Sequence, residues 1–499
     1  MTITTQVPAG LDEYIEQARR AWRAPGLAIA VVKDDAVVFA RGYGVRELGK
    51  DDPVDEHTLF AVASTTKAYT AATLGLLVDE GRLSWDDPVI KHLPGFQLYD
   101  PYVTREITVR DLLCHRSGLS RGDTLWVLGF SRDEVLRRVR YLKPSWSFRA
   151  RFGYQNIMFL AASQIVEAVA GVRWDDFLKE RLFKPLGMAR SNTSVADLER
   201  LENVAAPHYQ DDDGIRPIPY WNVDNVAGAG AINSSAIEMA QWVRLNLGEG
   251  VYAGARVLSA EVVREMQTPQ MVINDPEWLK GEALLQSGLH FNTYGLGWAL
   301  RDYRGRKLAT HGGGLWGMRS EVGLIPEAGL GVVVLTNLSV DMGSNDLPNA
   351  ILFRALDAYL GEPERDWSAD YLKAMLTLKE EEEAERRKIE EAHIEGTTPS
   401  LPLDAYAGTY RDEMFGDVQV SLEDGRLVAR PCRFVGDLTH WHYDTFQIAW
   451  RNPGFRKEYA VFTLDLKGKV HELRIEGGAE PLRFRRTPEA APDDSAAGS

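Results

Sequence analysis

Thr58-Leu59-Phe60-Ala61-Val62-Ala63-Ser64-Thr65-Thr66-Lys67-Ala68-Tyr69-Thr70-Ala71-Ala72 is the stretch on which the reading of this 499-residue chain turns. An extended apolar run ends at Ser64, and a helix of small residues follows, continuing to about Val78 and stopping at Gly81. Ser64 and Lys67 stand three apart, so on a helix they share a face and the amine reaches the hydroxyl. A helix N-terminus also turns free backbone N–H groups towards whatever the serine attacks. The pattern suits a serine nucleophile beside a nitrogen base. Taken alone, Ser-x-x-Lys arises by chance in a chain this long, and an ordinary helix start with a solvated lysine looks the same. The rest of the sequence has to decide.

Working outward, the length exceeds one typical core and predicts a large catalytic unit with an appendage. Apolar residues make up 44%, aromatics 10% and charged residues 26%, the balance of a folded soluble protein. A net charge of −15 argues against nucleic acid or an anionic membrane as partner. Cys114 and Cys432 are far apart and imply no disulfide framework. Met1 to Gly10 lacks a basic start followed by an apolar core, and no apolar run is long enough to span a bilayer. The expected location is cytoplasmic.

Before the serine, Leu11 to Trp22 has the pattern of an amphipathic helix, and strands from Gly26 and Ala36 flank an Asp34-Asp35 hairpin. After it, Ile107 to Gly118 predicts a short helix capped by Thr108, with His115 as a packed or surface helix residue. Gly118-Leu-Ser120-Arg-Gly122 fits the nucleophile elbow Gly-x-Ser-x-Gly. That motif needs a strand before it and a helix after it; here a helix precedes it and nothing helical follows until Ser131. It is read as a glycine-rich turn.

Tyr154-Gln155-Asn156 opens a long apolar helix, Ile157 to Ala170, ended by Gly171. Tyr154 and Asn156 either point into one cleft or serve as a packed ring and a helix cap. Gly228-Ala-Gly-Ala-Ile-Asn-Ser-Ser235 predicts a close-packed turn whose Ser234 or Ser235 caps a helix; its glycines lack nucleotide-loop spacing. From Tyr294 to Asn337 the pattern turns to strands and includes His311-Gly312-Gly313-Gly314, where missing side chains let a substrate lie close to the backbone after a strand. A helix from about Asp346 to Leu360 closes the unit.

The charge run from Lys379 predicts a solvated helix, and Leu403 to Arg486 carries short strands and turn signals fit for a small antiparallel barrel. His440 and His442 alternate on one of those strands, but no third metal ligand is evident. The expected division is residues 1–362 as the catalytic domain, 363–400 as a charged helical linker, 401–487 as the barrel and 488–499 as a disordered tail.

Ser64-x-x-Lys67, Tyr154-x-Asn156 and His311-Gly-Gly, in that order, resemble the serine β-lactamase, penicillin-binding and DD-peptidase superfamily. The likeness is to the branch holding class C β-lactamases, D-aminopeptidases and β-lactamase-like esterases, over about residues 10–360. It extends to Leu112-Leu-Cys-His-Arg-Ser-Gly-Leu119 and Pro185-Leu-Gly-Met188, and the C-terminal part resembles the lipocalin-like domain of some family peptidases. The resemblance implies an α+β fold, an antiparallel sheet flanked by helices with an inserted helical region. It implies Ser64 as nucleophile, Lys67 as base or base partner, Tyr154 as proton shuttle and Asn156 as a positioning hydrogen-bonder. The oxyanion donors would be the N–H groups of Ser64 and Gly314, contributing about 3 kcal/mol to lowering the barrier, with His311 and Gly313 lining the substrate site.

A lysine near pKa 10.4 and a tyrosine near 10 are both protonated at neutral pH, so one must be depressed by about 3 units to act as base. Burial lowers Lys67, or a charged Lys67 stabilises a Tyr154 anion. Many relatives have Lys-Thr-Gly where this chain has His311-Gly-Gly, and a neutral histidine holds a substrate carboxylate less well. Strong β-lactamase activity is therefore not expected. The expected function is a serine acyl hydrolase acting on small peptides or amides, with D-residues among them, or on carboxylic esters. The alternative is a non-catalytic binding or sensor protein on the same fold. No metal or organic cofactor is implied, and self-assembly into a homo-oligomer is left open.

Overall fold

The computed structural model describes residues 7–211, 213–275, 278, 289–340, 345–452, 454–477 and 481–488. The chain divides into two units, residues 1–126 with 131–379, and residues 127–130 with 380–499. Of the expected tail, residues 489–499 lie outside the described residues.

In the first unit, strands Gly26–Lys33 (β1), Ala36–Gly44 (β2), Met271–Val272 (β3), Asn292–Tyr294 (β4), Ala299–Tyr303 (β5), Arg306–Leu315 (β6), Met318–Ile325 (β7) and Leu330–Thr336 (β8) form one antiparallel sheet. Its order is β2-β1-β8-β7-β6-β5-β4-β3, so strands from early and late in the unit's sequence pair, as β1 and β8, one strand in from an edge of the sheet. The main helices are Leu11–Ala21 (α1), Thr66–Asp79 (α2), Asn156–Ala170 (α3), Ala236–Leu247 (α4), Leu347–Leu360 (α5) and Trp367–Glu391 (α6).

Side-chain size along β1 and β8 sets the layers. Leu27, Ile29 and Val31 of β1, with Leu330, Val332 and Val334 of β8, join a core that includes Leu11 and Ile15 of α1 and Ile351 and Leu352 of α5. The intervening β1 residues are the smaller Ala28 and Ala30. A Cβ at Gly331 of β8 would strike Val243 of α4, so α4 rides against the sheet where side chains are small. Each large aliphatic side chain buried this way contributes roughly 1.5–3 kcal/mol. The hairpin residues Asp34 and Asp35 both take positive φ, 50° and 61°, the turn that suits twisted strands.

Between β2 and β3 the chain makes the helical region. Twelve residues of α2, from Thr66 to Leu77, are buried, so this helix is the centre of that layer rather than its surface. The start of α6 is also internal: Trp367 and Tyr371 belong to the first unit's core, and Trp22 Nε1 donates to Ser368 Oγ at 3.0 Å. The charge run expected to be solvated follows within the same helix, and residues 385–392 are exposed.

The second unit is a closed barrel of eight strands: Gly408–Asp412 (β9), Gly416–Glu423 (β10), Arg426–Pro431 (β11), Gly436–His442 (β12), Thr445–Trp450 (β13), Glu458–Leu464 (β14), Val470–Glu476 (β15) and Leu482–Arg486 (β16). Its core holds Tyr406, Tyr410, Val418, Phe446, Phe462 and Phe484. Asp424 and Gly425, at φ 47° and 77°, make the tight turn that Glu423-Asp-Gly predicted. His440 Nε2 meets the Tyr443 carbonyl at 3.0 Å, and His442 Nδ1 accepts the Ile394 N–H at 3.4 Å. A ladder irregularity separates the two histidines, and no metal-binding cluster of ligand side chains occurs among the described residues.

Candidate active site

Ser64 does not follow a strand directly. The strand Phe60–Ala61 pairs with Asn233–Ser234 and ends there. Ala63 then takes a left-handed φ of 48°, residues Ala63–Thr65 form a 3-10 turn, and α2 begins at Thr66. A non-glycine residue in that conformation carries local strain, which the surroundings hold in place. Val62 N–H donates to the Ile232 carbonyl at 2.9 Å, and Ser320 Oγ–H donates to the Val62 carbonyl at 2.7 Å. Gly313 lies against that same carbonyl, which a Cβ would overlap. Gly313 is thus needed by the serine turn, and the glycine run sits inside β6 rather than after it.

Lys67 is fully buried, one turn along from Ser64. Its Nζ lies 3.0 Å from Ser64 Oγ, 2.7 Å from Asn156 Oδ1 and 3.0 Å from the Ala229 carbonyl. Burial pushes the amine well below its ordinary value; Asp123 opposes that shift and Arg121 adds to it. Asn156 is the first residue of α3, whose cap is Gln155 through its side-chain oxygen to Ile157 N–H; Asn156 is thereby free for the cleft. Ala229 comes from the glycine-rich segment, which packs so closely that a Cβ at Gly228 would strike the Phe159 carbonyl.

The centre of the Tyr154 ring lies 4.7 Å from Lys67 Nζ, and its phenol is close enough to Ser64 for the serine to bear on its pKa. Burial raises its pKa, with the nearby Ser64 hydroxyl and Arg121 only partly offsetting this, so Tyr154 holds its proton. His311 is buried on β6; its Nδ1–H donates to the Gly312 carbonyl at 2.7 Å and its Nε2 accepts the Tyr294 hydroxyl at 2.8 Å. Burial and nearby Lys67 push it down to about 3, and it is neutral at pH 7. Gly313 is buried, whereas Gly314 is exposed.

His115 is neither on a helix nor at the surface. The short helix capped by Thr108 spans Val109–Leu113, and His115 follows it at φ 59°, fully buried. Its ring lies tilted against those of Tyr154 and Tyr294, centroid to centroid 4.3 Å and 4.6 Å, and its Nδ1 accepts the Gln155 N–H at 3.0 Å. It props the Tyr154 ring. Ser120 stands apart from this cluster: it accepts a hydrogen bond from Ser145 Oγ at 2.8 Å, and the following residues form only a single helical turn, Thr124–Val127.

Sequence reading missed Asp123, Ala229 and Tyr294. Asp123 Oδ1 accepts Asn156 Nδ2–H at 2.8 Å and Trp126 Nε1–H at 2.7 Å, and its Oδ2 pairs with Arg121 at 3.2 Å. The only available signal was a carboxylate just past the false elbow. Ala229 acts through its backbone and gives no side-chain signal.

A family model described as "Domain of unknown function (DUF3471)" matches residues 392–489. The chain is 28% identical to the Unguisins hydrolase ungD of Aspergillus violaceofuscus over 458 residues, 85% of this chain and 79% of that protein. In fold it is similar to the octameric penicillin-binding protein homologue from Pyrococcus abyssi, with a TM-score of 0.61 and 23% identity over 95% of this chain and 99% of that one. It is also similar to the D-amino acid amidase from Ochrobactrum anthropi SV3, with a TM-score of 0.57 and 22% identity over 71% of this chain and 98% of that one. The "Beta-lactamase" family model matches residues 11–356, a span holding Ser64, Lys67, Tyr154, Asn156 and His311, and the chain belongs to that family.

Proposed function

We propose that this chain is a serine hydrolase that forms an acyl-enzyme on Ser64, with Lys67 as general base and Tyr154 as general acid. The observation that carries this reading is the set of partners around Lys67 Nζ. A neutral amine has two N–H donors and one lone pair. Asn156 Oδ1 and the Ala229 carbonyl are both acceptors and take the two N–H groups. The lone pair is left for the third neighbour, the Ser64 hydroxyl at 3.0 Å. Burial favours the neutral form of the amine and the protonated form of Tyr154, which divides the two roles.

In this reaction Ser64 Oγ attacks the substrate carbonyl as its proton passes to Lys67. A C–O bond forms, and the oxyanion is held by the N–H groups of Ser64 and Gly314. The bond to the leaving nitrogen or oxygen then breaks as Tyr154 gives that atom its proton, and the proton on Lys67 restores the phenol. Water repeats the sequence on the ester and frees the acid. Left-handed Ala63 and side-chain-free Gly313 hold the nucleophile's turn against β6.

The proposed substrates are small amides or peptides, D-residues among them, or carboxylic esters. The amidase and hydrolase names of the relatives support this class. Neutral His311 supplies no cation for a substrate carboxylate, so β-lactam turnover is expected to be weak. A cytoplasmic location and a homo-oligomer belong to the same proposal; the octameric Pyrococcus abyssi relative supports the latter. The test is to compare rates on nitrophenyl esters with those on D- and L-aminoacyl nitroanilides. Turnover of one set that vanishes in Ser64→Ala is expected. Reversible binding without turnover would instead make this a sensor on the same fold.

A further inference from the structure

We infer that Asp123 is a positioning residue for this reaction, its carboxylate fixing which end of the Asn156 amide faces Lys67. The inference rests on Lys67 acting as the base. The two ends of an asparagine amide have nearly the same shape, so shape alone does not choose between them. A carboxylate only accepts, and Asp123 Oδ1 lies 2.8 Å from Asn156 Nδ2. That contact selects the NH₂ end for Asp123 and leaves Oδ1 for Lys67, at 2.7 Å. With the amide turned over, its NH₂ would face the amine. One Lys67 N–H would then lose its acceptor, and the lone pair would be drawn away from Ser64.

Asp123 is itself held for this task. Trp126 Nε1–H donates to the same oxygen at 2.7 Å, and the Trp126 carbonyl is tied to Asn225 Nδ2 at 2.8 Å. Arg121 meets the other oxygen at 3.2 Å, with 63% of its side chain exposed against 21% for Asp123. The groups facing Lys67 are Ser64 on its own turn, Tyr154 at the start of the α3 segment, Asp123 and Arg121 from the loop, and His115 and His311 behind. Both histidines are held neutral by burial, so Asp123 brings the negative charge and Arg121 the positive one. Removing the Asp123 charge therefore makes Lys67 easier to deprotonate while loosening its aim.

Asp123→Asn separates these two effects. On a substrate that the native chain turns over, kcat is expected to fall by about a hundredfold with KM changed by no more than about threefold, as for a misaimed base. The acidic limb of the kcat/KM profile should move to lower pH, a shift that mere loss of packing would not produce. Asp123→Glu keeps an acceptor-only group and its charge. Its limb should stay at the native position, and this variant decides the matter should the Asn variant fail to fold. A rise in KM alone, an unmoved limb in Asp123→Asn, or a limb displaced in Asp123→Glu would overturn the inference. If the native chain is not acylated at Ser64 at all, it is the functional reading that fails; if it is, these variants judge Asp123 alone.

Discussion

Lys67 and Asp111 are both fully buried ionisable groups of the first unit, and they meet opposite fates. Burial pushes the Asp111 carboxyl up, but Arg149, the Thr108 amide and Arg116 more than reverse that, and it stays charged. Arg149 Nη2 lies 2.6 Å and Thr108 N 2.9 Å from Asp111 Oδ2, while Arg116 bonds Oδ1. Around Lys67 the direct partners are a hydroxyl, an amide oxygen and a carbonyl, none of them charged. The carboxylate of Asp123 makes no direct contact with it, reaching it through Asn156 and by its charge, which opposes the shift without reversing it. Burial therefore wins at Lys67 and loses at Asp111. Burial yields a charged structural anchor where counter-charges are supplied, and an amine with a depressed pKa, as the proposed base requires, where they are withheld.

The largest expected effect is in Lys67→Met, which should lower kcat by about 10⁴-fold, as when a member of a catalytic triad is removed. Its stability at pH 7 should equal or exceed that of the native chain, because a buried amine is replaced by an apolar side chain. The unfolded amine titrates near pH 10.4, above its depressed folded value, so the unfolded chain binds the extra proton between the two. Native stability then rises with pH across that window, and the Met variant's advantage shrinks towards pH ~10. Urea titrations across pH measure this. A Met variant that is less stable at every pH would break the contrast.

Next in size, Asp111→Asn should destabilise by about 3 kcal/mol, the low end for a broken buried pair because 44% of the Arg149 side chain is exposed. Activity per labelled serine should not change. The folded carboxyl is depressed, so its contribution is present above the unfolded value of about 3.9 and is lost as pH falls through the folded value. The stability gap between native and Asn proteins should accordingly narrow below about pH 4. Arg149→Lys is the smallest change: it removes a two-point contact but keeps the charge, and should cost about 1 kcal/mol by thermal melts.

What could be read in advance follows the same division. Ser64, in the 3-10 turn, and Lys67, in the first turn of α2, lie three apart along one helical stretch, so spacing alone brought them together. The strands around Asp34-Asp35 and the Thr108 cap were legible because each is complete within a few residues. The left-handed Ala63 was not, since nothing in an alanine announces a positive φ that neighbouring chain imposes. The role of Asp123 hung on a partner 33 residues away, and that of Ala229 on a backbone carbonyl 162 residues from Lys67. His115 was placed on a helix because the helix's end, set by its cap and the His115 turn, left no mark in the apolar pattern. Local geometry was legible; the long-range contacts around Lys67 were not.

The most direct test follows the rate at which a fluorophosphonate labels the native chain from about pH 5 to about pH 11, with the labelled peptide mapped. A buried, neutral Lys67 predicts label on Ser64 and a rate already level at neutral pH, its acidic limb well below the ordinary lysine value of about 10.4. Label on Ser120, or a rate that keeps climbing to about pH 10 as an ordinary amine would dictate, contradicts the account.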